Sequence, residues 1–307
     1  MDAADQDEHT RLLAYAFNYA AATDEEKGMI FALKGLFGGY PGVFSIALYY
    51  KKVHEYSDLE NRDLWEYRLN LSAEQIERLL MHLWELQRVY ADYYFLDENC
   101  SYHLLSVLDV ALLHQHLTEE FRWWAIPTDT LRAVVSQPGL LAEVTYRPAR
   151  STLLRRQLRF MRADEQAMAE ALVAGRLSPN DPSLRELSET QQARVLEFAF
   201  EYLEYQRLSG KDQNNLRARR PLGLLAARSQ LSSTPSAPEP PAPEVRPDES
   251  HGSSRFAIGY GQSGKRAFTE ITFRPAYHDL LDPDGGYGRG AQIEFLAASL
   301  RYRIFQG

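Results

Sequence analysis

Seven of the fifteen prolines fall between Pro221 and Pro247, most of them in SSTPSAPEPPAPEVRPDES, a stretch with almost no apolar content. Such a segment cannot bury a core and is expected to be extended or disordered, so it divides the chain. Before it, long stretches place apolar residues at helical spacing; after it they alternate. The expected partition is 1–150 as an α+β domain, 151–212 as a helical extension, 213–252 as a linker and 253–307 as a strand-rich domain. The chain has 307 residues, about two domains' worth by length. Hydrophobic residues at 45% and charged ones at 25% exclude wholesale disorder, a collagen repeat and a disulfide scaffold. The net charge of −8 argues against a nucleic-acid partner, which a basic face would recruit. The longest uncharged run, Gly35 to Tyr50, is broken by Gly38, Gly39, Pro41 and Gly42. It falls short of the ~20 apolar residues of a spanning helix.

In the first region, LLAYAFNYAAA (Leu12 to Ala22) sets Tyr15, Phe17 and Tyr19 on one strand face and Asn18 on the other. Residues 28–43 read as glycine-rich turns beside aromatics, and 44–56 and 63–71 as strands. Ser72 and Gln75 then form a capping-box pattern. Ile76, Leu79, Leu80, Leu83 and Trp84 follow at helical spacing, predicting a helix to about Tyr90. A second apolar helix starts near Asn99. Val195, Phe198, Ala199, Tyr202 and Leu203 make the clearest amphipathic stripe. Beyond the prolines, Phe256/Ile258/Tyr260, Ile271/Phe273, Ile293/Phe295 and Leu300/Tyr302/Ile304 alternate with polar residues. A DPDGG turn, Asp282 to Gly286, separates two of these runs. That rhythm suits a membrane-barrel wall or any half-buried antiparallel sheet.

The residues that could carry chemistry converge on FLDENCSYHLL, Phe95 to Leu105. Cys100, the only cysteine, sits where an extended segment gives way to a helix, with Asn99 as the cap. Backbone N–H groups at a helix start favour a thiolate, while Asp97 and Glu98 oppose it. A lone cysteine is more often a buried core residue. A nucleophilic thiol needs a base; His9, His54, His82 and His103 are the candidates. His103 can share a helix face with Cys100, and His54 is expected on an earlier strand. Cys100/His103 and His114/His116 lack the remaining ligands of a zinc site, so no metal and no cofactor is expected. Six arginines between Arg147 and Arg162 read as a solvated helix face or as an attraction to anionic headgroups.

NYAA, KGLFGGYPG, YYKKVHEY, RDLWEYRLNL, HLWEL and YYFLDENCSYHLL together resemble the N-terminal periplasmic domain of the Lnb family, bacterial lipoprotein N-acyltransferases, over about residues 10–150. HGSSRFAIGYG and FRPAYHDLLDP…GYGRGAQIEF resemble a C-terminal region of proteobacterial relatives that looks like the start of an outer-membrane barrel. The resemblance implies an α+β, permuted papain-like fold. It implies acyl transfer from a phospholipid to a lipoprotein N-terminal cysteine through a thioester on Cys100, in the periplasm or at the outer membrane. It places Asn99 and Cys100 at the catalytic helix start, with the backbone N–H of Cys100 or Ser101 holding the oxyanion and Asn18 orienting a histidine. That histidine belongs to a strand before LLAYAFNYAA, in a Gly-His-Thr-Phe-Leu-Arg type of segment that MDAADQDEHT does not contain. The start codon is therefore expected to lie upstream of Met1, with an export signal, and the 307-residue chain to be inactive without it. The barrel strands are expected to continue past Gly307. The rival expectations are a non-enzymatic lipid- or lipoprotein-binding envelope protein, and a papain-like peptidoglycan amidase or peptidase.

Overall fold

A computed structural model describes residues 13–23, 29–208, 219–233, 240–264, 266–288 and 290–304. His9 lies outside the described residues, as do parts of the proline-rich stretch. The chain is a mixed α+β protein whose compact units do not follow sequence order. One unit comprises the described residues of 1–16, 47–66 and 144–242; the other comprises those of 17–46, 67–143 and 243–307.

In the second unit, β1 (Tyr15–Ala21), β2 (Tyr40–Leu48) and β4 (Tyr90–Tyr93) form a three-stranded sheet in the order β1-β2-β4. β2 and β4 run antiparallel with Tyr40 opposite Tyr93 and Val43 opposite Tyr90. Between β1 and β2 the expected turns are replaced by helix α1 (Met29–Leu36). The reason is local: MIFALKGL is mostly good helix formers and tolerates its one glycine, Gly35, while Gly38 beyond it adopts φ +71° and ends the helix. The strand expected over 44–56 ends at Leu48. From there the chain winds into α2 (Tyr49–Val53) and a π turn (His54–Leu59). Lys52–Glu55 and His54–Asp58 pairs, three and four residues apart and both 2.7 Å long, favour that winding.

β3 (Leu64–Leu69) pairs with β5 (Leu141–Arg147). Helix α3 (Ala73–Leu86) starts on the capping box, Ser72 accepting from the Gln75 amide and Gln75 from the Ser72 amide. It stops short of the expected Tyr90 because that residue begins β4. α4 (Cys100–Leu112) and α5 (Pro127–Val135) follow. Leu105, Leu112, Leu117, Val134 and Leu140 make the core of this unit, with Leu69, Leu71, Leu108 and Phe121 packed on it.

The first unit is helical: α6 (Arg150–Phe160), α7 (Ala163–Ala174), α8 (Glu189–Leu208) and α9 (Arg219–Arg228). The α8 stripe of Val195, Phe198, Ala199 and Leu203 is buried against Leu154, Leu172, Leu184 and Leu224. Leu224 lies within 213–252, the span expected as a linker, but ahead of its apolar-poor run. RRPLGLLAAR carries three leucines and two alanines ahead of the polar run, enough to wind α9 and bury one face. The other end of that stretch is also ordered against protein: Asp248 accepts a hydrogen bond from Tyr67 at 2.6 Å. Arg132 of α5 donates to the carbonyls of Asp248, Ser250 and His251.

Beyond it, β6 (Arg255–Ser263), β7 (Arg266–Arg274) and β10 (Ala298–Ile304) form an antiparallel sheet ordered β10-β7-β6. β8 (Ala276–His278) pairs with β9 (Ile293–Phe295). The register sets Phe256 opposite Phe273, and Ile271 between Ile258 and Leu300. None of these sheets is closed among the described residues. Of the described helices, none is long and apolar enough to cross a membrane.

Candidate functional site

Helix α4 is built to start at Cys100. Asn99 is extended (φ −91°, ψ −173°), and its side-chain oxygen accepts from the amides of Ser101 (3.0 Å) and Tyr102 (3.2 Å) and from the Ser101 hydroxyl (2.7 Å). Its amide nitrogen donates to the carbonyls of Ala125 (2.6 Å) and Phe95 (3.2 Å). Asn99 is buried, and its side chain, engaged at both ends, locks the helix start to two loops. The half-buried Cys100 follows as the first helical residue.

The Cys100 amide donates to the Tyr93 hydroxyl at 3.2 Å. Burial first, then a hydrogen bond with the Cys100 side chain, hold the Tyr93 phenol well above its ordinary range. The Tyr19 ring packs on Tyr93 (centroids 5.8 Å apart), on Phe44 (4.6 Å) and on His103 (4.2 Å). Burial, reinforced by Glu98, Asp92 and Cys100, pushes the Tyr19 phenol up to about 12, and its hydroxyl has no partner among the described residues. A Cβ at Gly42 would stand 2.0 Å from that hydroxyl, so glycine is required for the ring to lie there. A Cβ at Gly35 would meet the Phe95 ring at 2.3 Å. The glycine-rich segment thus lets aromatic rings approach the backbone beside the helix start.

His103 lies one turn along α4. Burial lowers its pKa, and its buried Nε2 has no partner among the described residues. It is a neutral imidazole on the helix that carries the thiol. His54 is on the π turn rather than a strand, belongs to the other unit and is bonded to Asp58 at 2.7 Å. His82 faces Glu85 at 3.7 Å on α3. Asn18 precedes Tyr19 on β1, so the two side chains point to opposite sheet faces, and Tyr19 takes the face toward His103. The Asn18 carbonyl accepts from the Ser45 hydroxyl at 3.5 Å. The structure gathers Asn99, Cys100 and Ser101; it adds Tyr93 and Tyr19, brought in by long-range strand pairing that no local pattern announces. The Ser101 amide is already taken by Asn99, whereas the Cys100 amide is held by a hydroxyl that can exchange partners.

A second cluster has no local sequence signature, because its members span β8 and the loops around it. His251, His278 and Asp282 place ligand atoms within 4.8 Å of one another. The His251 Nε2 and His278 Nδ1 atoms are 2.8 Å apart, a hydrogen bond, and Arg274 holds Asp282 at 2.6 Å. The guanidinium stands where a bound cation would draw on that carboxylate, so the trio is already compensated.

Residues 1–137 match the Lnb N-terminal periplasmic domain, residues 144–241 a domain of unknown function (DUF7842), and residues 244–305 another domain of unknown function (DUF7840). No curated protein and no solved structure matches the chain.

Proposed function

We propose, from the match of residues 1–137 to the Lnb N-terminal periplasmic domain, that the chain is a cell-envelope thiol acyltransferase. The observation that carries this reading is the half-buried Cys100 at the first position of a rigidly capped helix, with a tyrosine hydroxyl on its amide. The thiolate attacks the ester carbonyl of a phospholipid acyl chain. The tetrahedral intermediate collapses with loss of the glycerol alkoxide, which takes a proton, and a thioester remains on Cys100. The α-amine of a lipoprotein's diacylglyceryl-cysteine then attacks the thioester, forms the amide and releases the thiolate.

The Cys100 amide and the Tyr93 hydroxyl are the donors we assign to the oxyanion, worth roughly 3–4 kcal/mol for a preorganised donor. Ser101 and Asn99 keep the helix start in place. His103, neutral and with an unengaged Nε2, is the imidazole the described residues offer as proton acceptor, and Asn18 is assigned to supporting the sheet beneath it. The domain fold we infer is the permuted papain-like one, supported by a strand, β1, whose Tyr19 packs on the cysteine-bearing helix.

The exposed apolar face of β6, β7 and β10, with Phe256, Ile258, Leu300 and Tyr302, supports contact with the outer membrane. The test is intact-mass spectrometry of the chain, and of a form extended through its in-frame upstream codons, after exposure to phospholipid vesicles. An acyl adduct mapped to Cys100 in either form, consumed on adding a diacylglyceryl lipopeptide, is expected. Absence of an adduct from both overturns the proposal in favour of a binding role. Cleavage of muropeptides instead would make it an amidase or peptidase.

A further inference from the structure

In the helical unit a cavity of about 470 Å³ opens beside the π turn, the end of β5, α6 and α8. That is the size of a small-molecule site. Arg150 stands in its wall between two carboxylates, 3.5 Å from Asp58 and 3.7 Å from Glu201. Both separations are too long for a good hydrogen bond, so the guanidinium is balanced in charge but not spent in bonding. The neighbouring Arg147 is held by Glu66 at 2.9 Å.

Two further polar atoms that line the space, Ser57 Oγ and Gln157 Oε1, are buried and have no hydrogen-bond partner among the described residues. Ser57 is only 5% exposed and sits on the π turn, an element rare in proteins and frequent at functional sites. Burial raises the Glu201 carboxyl despite Arg150, and Glu204, Asp58 and Glu197 add to the rise. The wall therefore carries two carboxylates and two guanidinium groups, of which Arg147 is spent on Glu66 and Arg150 is under-bonded. A purely anionic ligand would meet Asp58 and Glu201; a purely cationic one would meet Arg150. One that carries both charges a few bonds apart satisfies all three.

We propose that this cavity binds a compact zwitterion, its anionic group on Arg150 and its ammonium group between Asp58 and Glu201, with Ser57 and Gln157 completing the hydrogen bonds. An ethanolamine phosphate group has this chemistry, whether free or as a lipid headgroup.

The experiment is titration calorimetry of the full chain with O-phosphoethanolamine, and with ethanolamine and methyl phosphate as single-charge probes. Binding of the zwitterion at least tenfold tighter than either single-charge probe is expected. Arg150→Gln and Glu201→Gln should each weaken it tenfold or more, with melting curves confirming that both variants fold. Phosphatidylethanolamine vesicles then separate the sources: binding lost in Arg150→Gln assigns a headgroup, and its absence assigns the free molecule. No binding of the zwitterion, or binding unchanged in both variants, overturns the proposal. Cys100→Ala is expected to leave this binding intact, so its outcome is independent of the acyl-transfer test.

Discussion

Two helices of the same unit begin by the same grammar and for different ends. α3 starts on Ser72, whose reciprocal pair with Gln75 lies exposed, and its outward face shows Ile76, Leu80 and Trp84. α4 starts on Asn99, which is buried and engaged at both ends of its side chain. The first cap ends a helix and asks little else of its surroundings. The second fixes two loops and the first helical residue together, and that residue is Cys100. A cap embedded in the core fixes the position of whatever follows it, which a thiol needs to meet a substrate carbonyl within a fraction of an ångström.

The largest expected difference between the two ends is chemical. Cys100→Ala should remove acyl transfer by about a thousandfold or more, measured as lipopeptide N-acylation; Ser72→Ala should leave the rate unchanged. Tyr93→Phe should lower the rate by about a hundredfold, with thermal stability nearly kept, because it removes one hydroxyl from the oxyanion side and no packing. A Tyr93→Phe enzyme of full activity would reduce that tyrosine to a core residue.

The two caps should differ in stability as well. Asn99→Ala loses a cap worth about 1–2 kcal/mol. It also orphans the Phe95 and Ala125 carbonyls at about 1–3 kcal/mol for each buried group. Ser72→Ala should cost only about 1 kcal/mol by denaturant melts. Equal losses at both caps would erase the distinction drawn between them.

The smallest expected effect is in pH. The folded protein holds His103 below its ordinary value of 6.5, so the unfolded chain binds the extra proton first as pH falls. Stability should therefore drop as pH is lowered through 6.5 toward the folded value. His103→Phe should flatten that part of a Tm-versus-pH curve.

How much of this was legible in the sequence follows from how local each feature is. Both caps are local patterns: Ser72 three residues before Gln75, and Asn99 ahead of an apolar run. So is the α8 stripe, whose Val195 and Ala199 are fully buried. The alternating strands after Arg255 pair as their period implies. Tyr93 was not legible as a site residue, because its position depends on β4 pairing with β2, across some fifty residues of intervening helix and strand. Nor was the helix at Met29–Leu36, where one glycine inside a helix-forming run resembles the turn glycines after it. At both ends of 213–252 composition says less than packing does. Composition marks where apolar residues are scarce, but Leu224 is held by packing and Asp248 by Tyr67 and Arg246. The cavity at Arg150 has no sequence signature, since nothing in the arginine run shows which arginine turns inward.

The account rests on Cys100 being a nucleophile, and the most direct measurement is the mass of the protein after incubation with phospholipid vesicles alone, with no acceptor present. A single acyl chain on Cys100, labile to hydroxylamine at neutral pH and absent from Cys100→Ala, is the result expected. An unmodified protein, upstream codons included, or an adduct that persists in Cys100→Ala, would contradict it.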